Sequence, residues 1–558
     1  MKTLTRRELC NALPATGAVI AAGLLDGGTL ASARTKPAVN NDDLGARVYN
    51  IRAYGAKGDK TTVDTAAVQA AIDACAGDGG GTVLVPAGTF VIGTTELKSN
   101  VTLHVAAGGT LLGSADGKQY HAVDAIPLHG DTTLIDGNWA LLFAVNAKNV
   151  TIEGPGTIDG QGAQFHSAVR GTPPPSGLGG NKRPYHVLAY HCENLAIRNI
   201  SLVDCAYHSI RIIQSQRIVL DAIYIHNRVN GNNDGFHFIS AEQVRLSNCT
   251  IKCGDDACAM FGSCKYITVT NSYFSTRWSV FRFGGGSVQD ISVSNCVLKE
   301  VYGCPIKFQG DPGSRFENIS FSDLVLDDVT GPISISIGGR LRPPDDKTPV
   351  VVRNISFSNI HGNVTSQAPP QLSEGTLGVG SRPGEIRSAI VLNSVNDSVL
   401  ENISFSNVHL TFGGGGTAEQ AQRDVPKVFG EYFELGPIPA YGLYARNARS
   451  ITLENVRFEV STPDLRPAVI FDHVEDAAIY GLNAMGNTAA ESVLRFIDSK
   501  DALLTASRVL TPAAAFLQLD GEGNDGIIVE GGDLSKATSV VAFKNGATEK
   551  AVKLRNLS

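Results

Sequence analysis

The phrase Asn318-Ile319-Ser320-Phe321-Ser322 returns as Asn354-Ile355-Ser356-Phe357-Ser358-Asn359, and again as Asn402-Ile403-Ser404-Phe405-Ser406-Asn407. Apolar and polar residues alternate with period two, the pattern of a strand with one face buried and the other exposed. Looser copies begin at Val150, Leu195, Ile218, Val244, Ile267, Ile291 and Ile451. From Leu195 to Ile319 the steps are 23, 26, 23, 24 and 28 residues; later steps of 36, 48 and 48 read as one rung plus an insertion, or as two rungs. A strand at nearly constant spacing, bounded by Gly and Asn turns, is the mark of a solenoid. A helical solenoid would need helical periodicity, which is missing. The expected fold is therefore all-β, a parallel β-helix whose coils stack about 4.8 Å apart. The recurrent Asn (199, 248, 271, 295, 359, 407, 455) fits a turn position that needs left-handed backbone. Val68, Ala71, Ile72 and Cys75 fall at helical spacing, which predicts a short N-terminal capping helix with Asp64 as its N-cap.

Composition agrees with a strand-and-turn protein: 558 residues, 43% apolar and 18% charged, with 60 Gly but only 3 Met and 2 Trp. The formal charge of −7, without a basic block, argues against a nucleic-acid partner or electrostatic membrane binding. No apolar run approaches the roughly 20 residues of a membrane span. Residues 1–33 read as an export signal: Arg6-Arg7, the apolar stretch Ala15–Leu25, then small residues at Ala31-Ser32-Ala33. The twin arginines favour a twin-arginine-type signal over a general secretory one, and either predicts a periplasmic or secreted protein. Residues 34–47 form a linker, and 48–558 one β-helix domain, with closing coils after about 481. Ten cysteines are present; nine lie beyond the signal, so at least one has no partner within the chain. Cys249 and Cys296 occupy equivalent places in the repeat and read as buried thiols. No oligomeric state is assigned.

The chemistry concentrates between Gly231 and Lys307. Asn232-Asn233-Asp234-Gly235 and Gly254-Asp255-Asp256-Ala257 are each compatible with an ordinary turn. Together they are more, because Asp234 and Asp255 are about one coil apart and should sit on neighbouring rungs. Asp255 and Asp256 can share a site only if the chain bends at Gly254. Three carboxylates in one patch repel, which raises at least one pKa and yields a proton donor beside an ionised partner. Such a pair is the equipment of glycosidic hydrolysis. Arg277, Arg282 and Lys307 follow at coil spacing and could hold the carboxylates of an acidic sugar polymer. Tyr207, His208, His237 and Trp278 are further candidates for the same groove, with a half-buried structural role as the alternative for each.

These motifs resemble glycoside hydrolase family 28, the polygalacturonase-like enzymes of the pectin lyase-like β-helix superfamily. The resemblance begins at Tyr54-Gly55-Ala56-Lys57-Gly58-Asp59 and continues through Gly154-Pro155-Gly156-Thr157-Ile158-Asp159-Gly160 into the acidic core. It implies a right-handed parallel β-helix and a pectic polysaccharide or oligosaccharide substrate, cleaved with inversion and without a metal or other cofactor. The family's Asn-Thr-Asp motif corresponds to Asn232-Asn233-Asp234, and its Asp-Asp motif to Asp255-Asp256. On that basis Asp255 is the general acid, Asp234 and Asp256 are the bases, and Asn232, His208, His237, Arg277, Arg282 and Lys307 bind substrate. Two motifs depart: Gly-His-Gly falls at Thr276-Arg277-Trp278, and Arg-Ile-Lys at Pro305-Ile306-Lys307. The departures open the substrate to branched pectins such as rhamnogalacturonan, or to cleavage from chain ends. A guanidinium touching Asp255 would lower its pKa, so Arg277 is expected to face the substrate instead. Two other readings use the same residues: a polysaccharide lyase with calcium on the carboxylates, and a β-helix that only binds glycans.

Overall fold

The computed structural model describes residues 47–127, 137–167, 172–337, 348–374, 389–395, 398–427 and 432–556. The proposed export signal and most of the linker lie outside these residues. Nearly every element is a strand, and every pairing between the named strands is parallel. Each coil contributes three strands, and each strand pairs with its counterpart one coil later, so three parallel stacks enclose one core. This is the arrangement of a parallel β-helix. One stack holds Tyr185–Tyr190, Ile210–Ile213, Phe236–Ile239, Cys258–Gly262 and Ile306–Phe308. The second holds Glu193–Arg198, Gln216–Asp221, Glu242–Ser247 and Lys265–Thr270. The third holds Ser201–Val203, Tyr224–Asn227, Thr250–Cys253 and Tyr273–Thr276.

The repeated phrase forms a single column of the second stack. Val150, Leu195, Ile218, Val244, Ile267, Ile291, Ile319, Ile355, Ile403 and Ile451 are direct register partners, coil after coil. The 36- and 48-residue steps are therefore one rung plus an insertion. Two residues further on, Phe321, Phe357 and Phe405 stack inside the core with ring centroids 5.2 and 4.9 Å apart. Coils continue beyond Gly481 to Arg555, in register with those before them. The strand Leu400–Gly414 is followed by a one-turn helix, Ala418–Ala421, opened by a Thr417–Gln420 capping box.

The helix spans Thr65–Gly77 and buries Val68, Ala71, Ile72 and Cys75 against the first coils. Asp64 precedes it but makes no capping bond. Its carboxylate instead accepts from the Lys57 and Gly58 amides at 2.7 and 3.0 Å, fixing the turn before the helix. All nine described cysteines are buried thiols without a disulfide.

Candidate functional site

The second and third stacks meet at a corner two residues wide, turned by one left-handed residue. Asn199, Ala222, Asn248, Asn271 and Asn295 occupy it in successive coils, each with φ between 51° and 57°. The third and first stacks meet at a wider corner, where the chain leaves regular structure for several residues: 228–235, 254–257 and 277–280. Hydrogen bonds keep those loops in step. Ser209 N donates to Asp234 O at 3.0 Å, Gly235 N to Asp256 O at 2.9 Å, and Ala257 N to Ser279 O at 2.8 Å. His208, Asp234, Asp256 and Ser279 thus share one register column, each two residues before its strand, with neighbours about 4.8 Å apart along the backbone. The strand ending at Cys253 breaks at Gly254, as the adjacent pair of acids requires.

Asp255 is half-buried. Burial and then the adjacent Asp256 push its carboxyl up to about 7, against the pull of Lys307 and Arg277. Its backbone is firmly held: Asp255 N donates to Asn233 O at 3.2 Å, and Asp255 O accepts from Thr276 Oγ1 and from Cys253 Sγ. Asn232 Nδ2 lies 3.5 Å from Asp255 Oδ2, at the limit of a hydrogen bond. Asp256 is buried, and its Oδ1 accepts no hydrogen bond among the described residues. Asp234 is also buried, and His237 Nδ1 donates to its Oδ2 at 2.9 Å.

Asn233, where the family motif has Thr, is a buried structural hub. Its Oδ1 accepts from the Val229 and Asn230 amides, and its Nδ2 donates to Cys205 O and Tyr207 O. The amide side chain therefore ties the loop carrying Asp234 to the preceding coil.

The cations divide into two groups. Arg282 and Lys307 are register partners on the outward face of the first stack, in the same column as Arg211 and His237. Lys307 is buried with Nζ 4.7 Å from the Trp278 ring centroid. Arg277 comes from the wide corner, and its Nε donates to Gly254 O at 3.0 Å. Arg277 is thus held by the backbone just before Asp255. Its charge does act on the acid, but burial and Asp256 outweigh it.

His208 and His237 do not line an open groove. Both are buried, 4% and 7% exposed, behind Asp234. The ligand atoms of His208, Asp234 and His237 lie within 4.8 Å of one another, close enough for a metal ion. Their surroundings oppose one: Arg211 Nη1 is 3.3 Å from His208 Nδ1, and the charges of Arg211 and Arg282 bear on His237.

Sequence reading missed three participants. Arg183 stacks 4.0 Å above the Tyr207 ring and donates to Gly231 O and Asn232 Oδ1, walling one side of the site. It comes from a loop with no repeat pattern to mark it. Arg211 and Phe261 sit on regular strands; aligning those strands coil by coil would have placed Arg211 beside His237, but Phe261 beside Ile239, from where its ring reaches back over His237. On the other flank, Glu374 binds Lys252 Nζ at 2.8 Å and Ser373 binds Glu300, so residues 365–374 strap the third stack beside the acids.

Residues 75–376 match the family model described as glycosyl hydrolases family 28. An exo-poly-alpha-D-galacturonosidase of Dickeya chrysanthemi is 25% identical over 65% of this chain and 71% of its own length. An exopolygalacturonase of Zea mays is 26% identical over 58% of this chain and 78% of its own. Among solved structures, a hyperthermoactive exopolygalacturonase from Thermotoga maritima matches the fold with a TM-score of 0.57 at 20% identity, covering 75% of this chain and 92% of that one.

Proposed function

The chain belongs to glycosyl hydrolase family 28 and is a glycosidase, and from that premise we propose that it cleaves galacturonate-containing, pectic polysaccharide or oligosaccharide. The relatives' names support both the substrate class and attack from a chain end. Arg183 lying across Tyr207 supports the same mode, since it walls the site on one side.

The observation that carries the mechanism is the pairing of unlike acids. Asp255, raised to about 7, holds its proton up to near-neutral pH and can protonate the leaving oxygen. Asp234 and Asp256, one coil apart, act as bases on water at the other side of the bond, with inversion at the anomeric carbon. The buried Oδ1 of Asp256 has no protein donor among the described residues, so it can accept from that water. Lys307, Arg282 and Arg277 supply positive charge for the uronate carboxylate. The mechanism calls for no metal or cofactor. The helix Thr65–Gly77 acts as the cap of the first coils, and the twin-arginine segment exports the protein to the periplasm or beyond.

Digestion of a pectic polysaccharide panel tests the proposal, with products read by mass spectrometry. Saturated galacturonate-containing products are expected. Asp255→Asn should lower kcat by about 10²–10⁴-fold, the usual worth of a general acid. Unsaturated, ultraviolet-absorbing products would replace hydrolysis with a lyase reaction.

A further inference from the structure

We infer that His237 is the positioning residue of the base Asp234: it donates its Nδ1 proton to Asp234 Oδ2 and is locked in that pose by a stack of side chains running across the site. The inference rests on the reading of Asp234 as a base.

The stack is continuous. The Arg183 guanidinium lies 4.0 Å over Tyr207, Tyr207 lies 4.4 Å from His208, and His208 lies 4.8 Å from His237 at an interplanar angle of 11°. His237 in turn lies 5.0 Å from Phe261 at 15°, and Arg282 closes the far end 5.8 Å from the Phe261 ring. Four rings from three successive coils are thus held between two guanidinium groups. With a parallel ring on each face, His237 cannot tilt, and Nδ1 stays in line with Asp234.

The two imidazoles are not equivalent. Arg211 Nη1 stands 3.3 Å from His208 Nδ1. A guanidinium can only donate, so that nitrogen carries its lone pair and has no proton for Asp234, 3.6 Å away. His237 Nδ1 has no such competitor and is the ring that donates. Among the described residues, nothing else hydrogen-bonds the His237 ring. The groups facing His237 include Asp234, His208, Arg211 and Arg282; those facing Asp234 include the two imidazoles, the Cys253 thiol and, one coil on, Asp256. Burial, followed by Arg211 and Arg282, holds His237 well below its ordinary pKa. A neutral donor orients the carboxylate and favours its ionised form. An imidazolium would bind the carboxylate as a full ion pair and blunt it as a base. The two arginines at the stack thereby keep His237 in the useful state.

The test compares wild type, His237→Ala and His237→Asn on a pectic oligosaccharide across pH, together with ring ¹⁵N NMR of the wild-type protein. His237→Ala should lower kcat by about 10–100-fold with KM within about twofold, and should move the acid limb of the profile to higher pH, because the charged base loses its donor. His237→Asn, whose amide N–H can reach the same oxygen, should recover at least about tenfold and return the acid limb toward wild type. The NMR spectrum should show a neutral Nδ1–H tautomer throughout the active pH range. Equal impairment of both variants with an unmoved acid limb would reduce His237 to packing and overturn the inference. So would an Nε2–H tautomer or an imidazolium, or activity abolished by a chelator and restored by zinc, which would make the three side chains a metal site. A wild-type protein that cleaves nothing in the pectic panel would remove the substrate reading, and the tautomer would then still decide whether His237 donates to Asp234.

Discussion

The two corners of the coil are built from the same repeat and have opposite fates. At the tight corner, one residue turns the chain, and its side chain joins a ladder: Asn407 Nδ2 donates to Asn359 Oδ1 at 3.1 Å and Asn455 Nδ2 to Asn407 Oδ1 at 2.8 Å. At the wide corner, each coil spends several residues on the turn, and the register column that results holds His208, Asp234, Asp256 and Ser279. A two-residue corner leaves no freedom to aim a functional group. A loop pinned at both ends by strands has that freedom without losing its place, and Asn233 shows how a buried amide removes the slack that remains. Rigid stacks with chemistry at their loops are a general solution; here both halves belong to every coil.

The comparison breaks most sharply if the corners can be damaged independently. Asp255→Asn should remove about 10²–10⁴-fold of activity without lowering the melting temperature, because a carboxyl whose pKa is raised on folding costs stability above its ordinary range and the amide does not carry that cost. Phe357→Ala should do the reverse. The ring is buried between Phe321 and Phe405, and its loss should cost about 3–5 kcal/mol in urea unfolding with KM unchanged in the protein that remains folded. A comparable loss of activity per folded molecule in Phe357→Ala would show that the two corners are mechanically coupled.

A smaller effect sharpens the electrostatics of the wide corner. The proton donor is lost as pH rises through about 7, so activity should fall on the alkaline side there. Arg277 and Lys307 both pull Asp255 downward. Arg277→Ala should therefore carry the alkaline limb to higher pH, by less than about one unit for a single half-exposed charge, and raise KM several-fold if the guanidinium also meets the uronate. An alkaline limb that stays in place would mean that Asp255 does not set it.

How much of this was legible beforehand follows from the same contrast. The tight corner and its strands repeat, so Ile319, Ile355 and Ile403 announced their own register, and the recurrent Asn announced the left-handed turn. The acids were legible as a cluster because two of them lie one coil apart in sequence as in space. What the sequence concealed was direction. His208 and His237 were expected to line the groove, but spacing gives the rung and not how deeply a side chain on it is buried, whether it sits on a loop like His208 or on a strand like His237. Arg183 was invisible for a further reason: it reaches the site from a loop outside the repeat. Asp64 was misread in detail, since a carboxylate before a helix can serve the turn behind it as well as the amides ahead.

The smallest effect concerns the ladder itself. Asn407 sits at φ 54° with its side chain exposed. If the turn depended on Asn, Asn407→Ala would disrupt the coil rather than only add the about 1–2 kcal/mol that left-handed backbone costs an ordinary residue. Yet Ala222 already holds the equivalent corner at φ 52°, and Ala506 at φ 54°, so the stacked strands impose the turn and side-chain bonds only add to it. Asn407→Ala should accordingly cost about 1–2 kcal/mol, the backbone strain together with ladder bonds weakened by solvent. Asn407→Gly removes the same ladder bonds while relieving the strain, at some entropic cost from the looser unfolded chain. If strain is the larger part, Gly should be the milder substitution in urea unfolding. Equal losses would assign the cost to the ladder, and neither variant should alter kcat, because the tight corner carries the coil and not the chemistry.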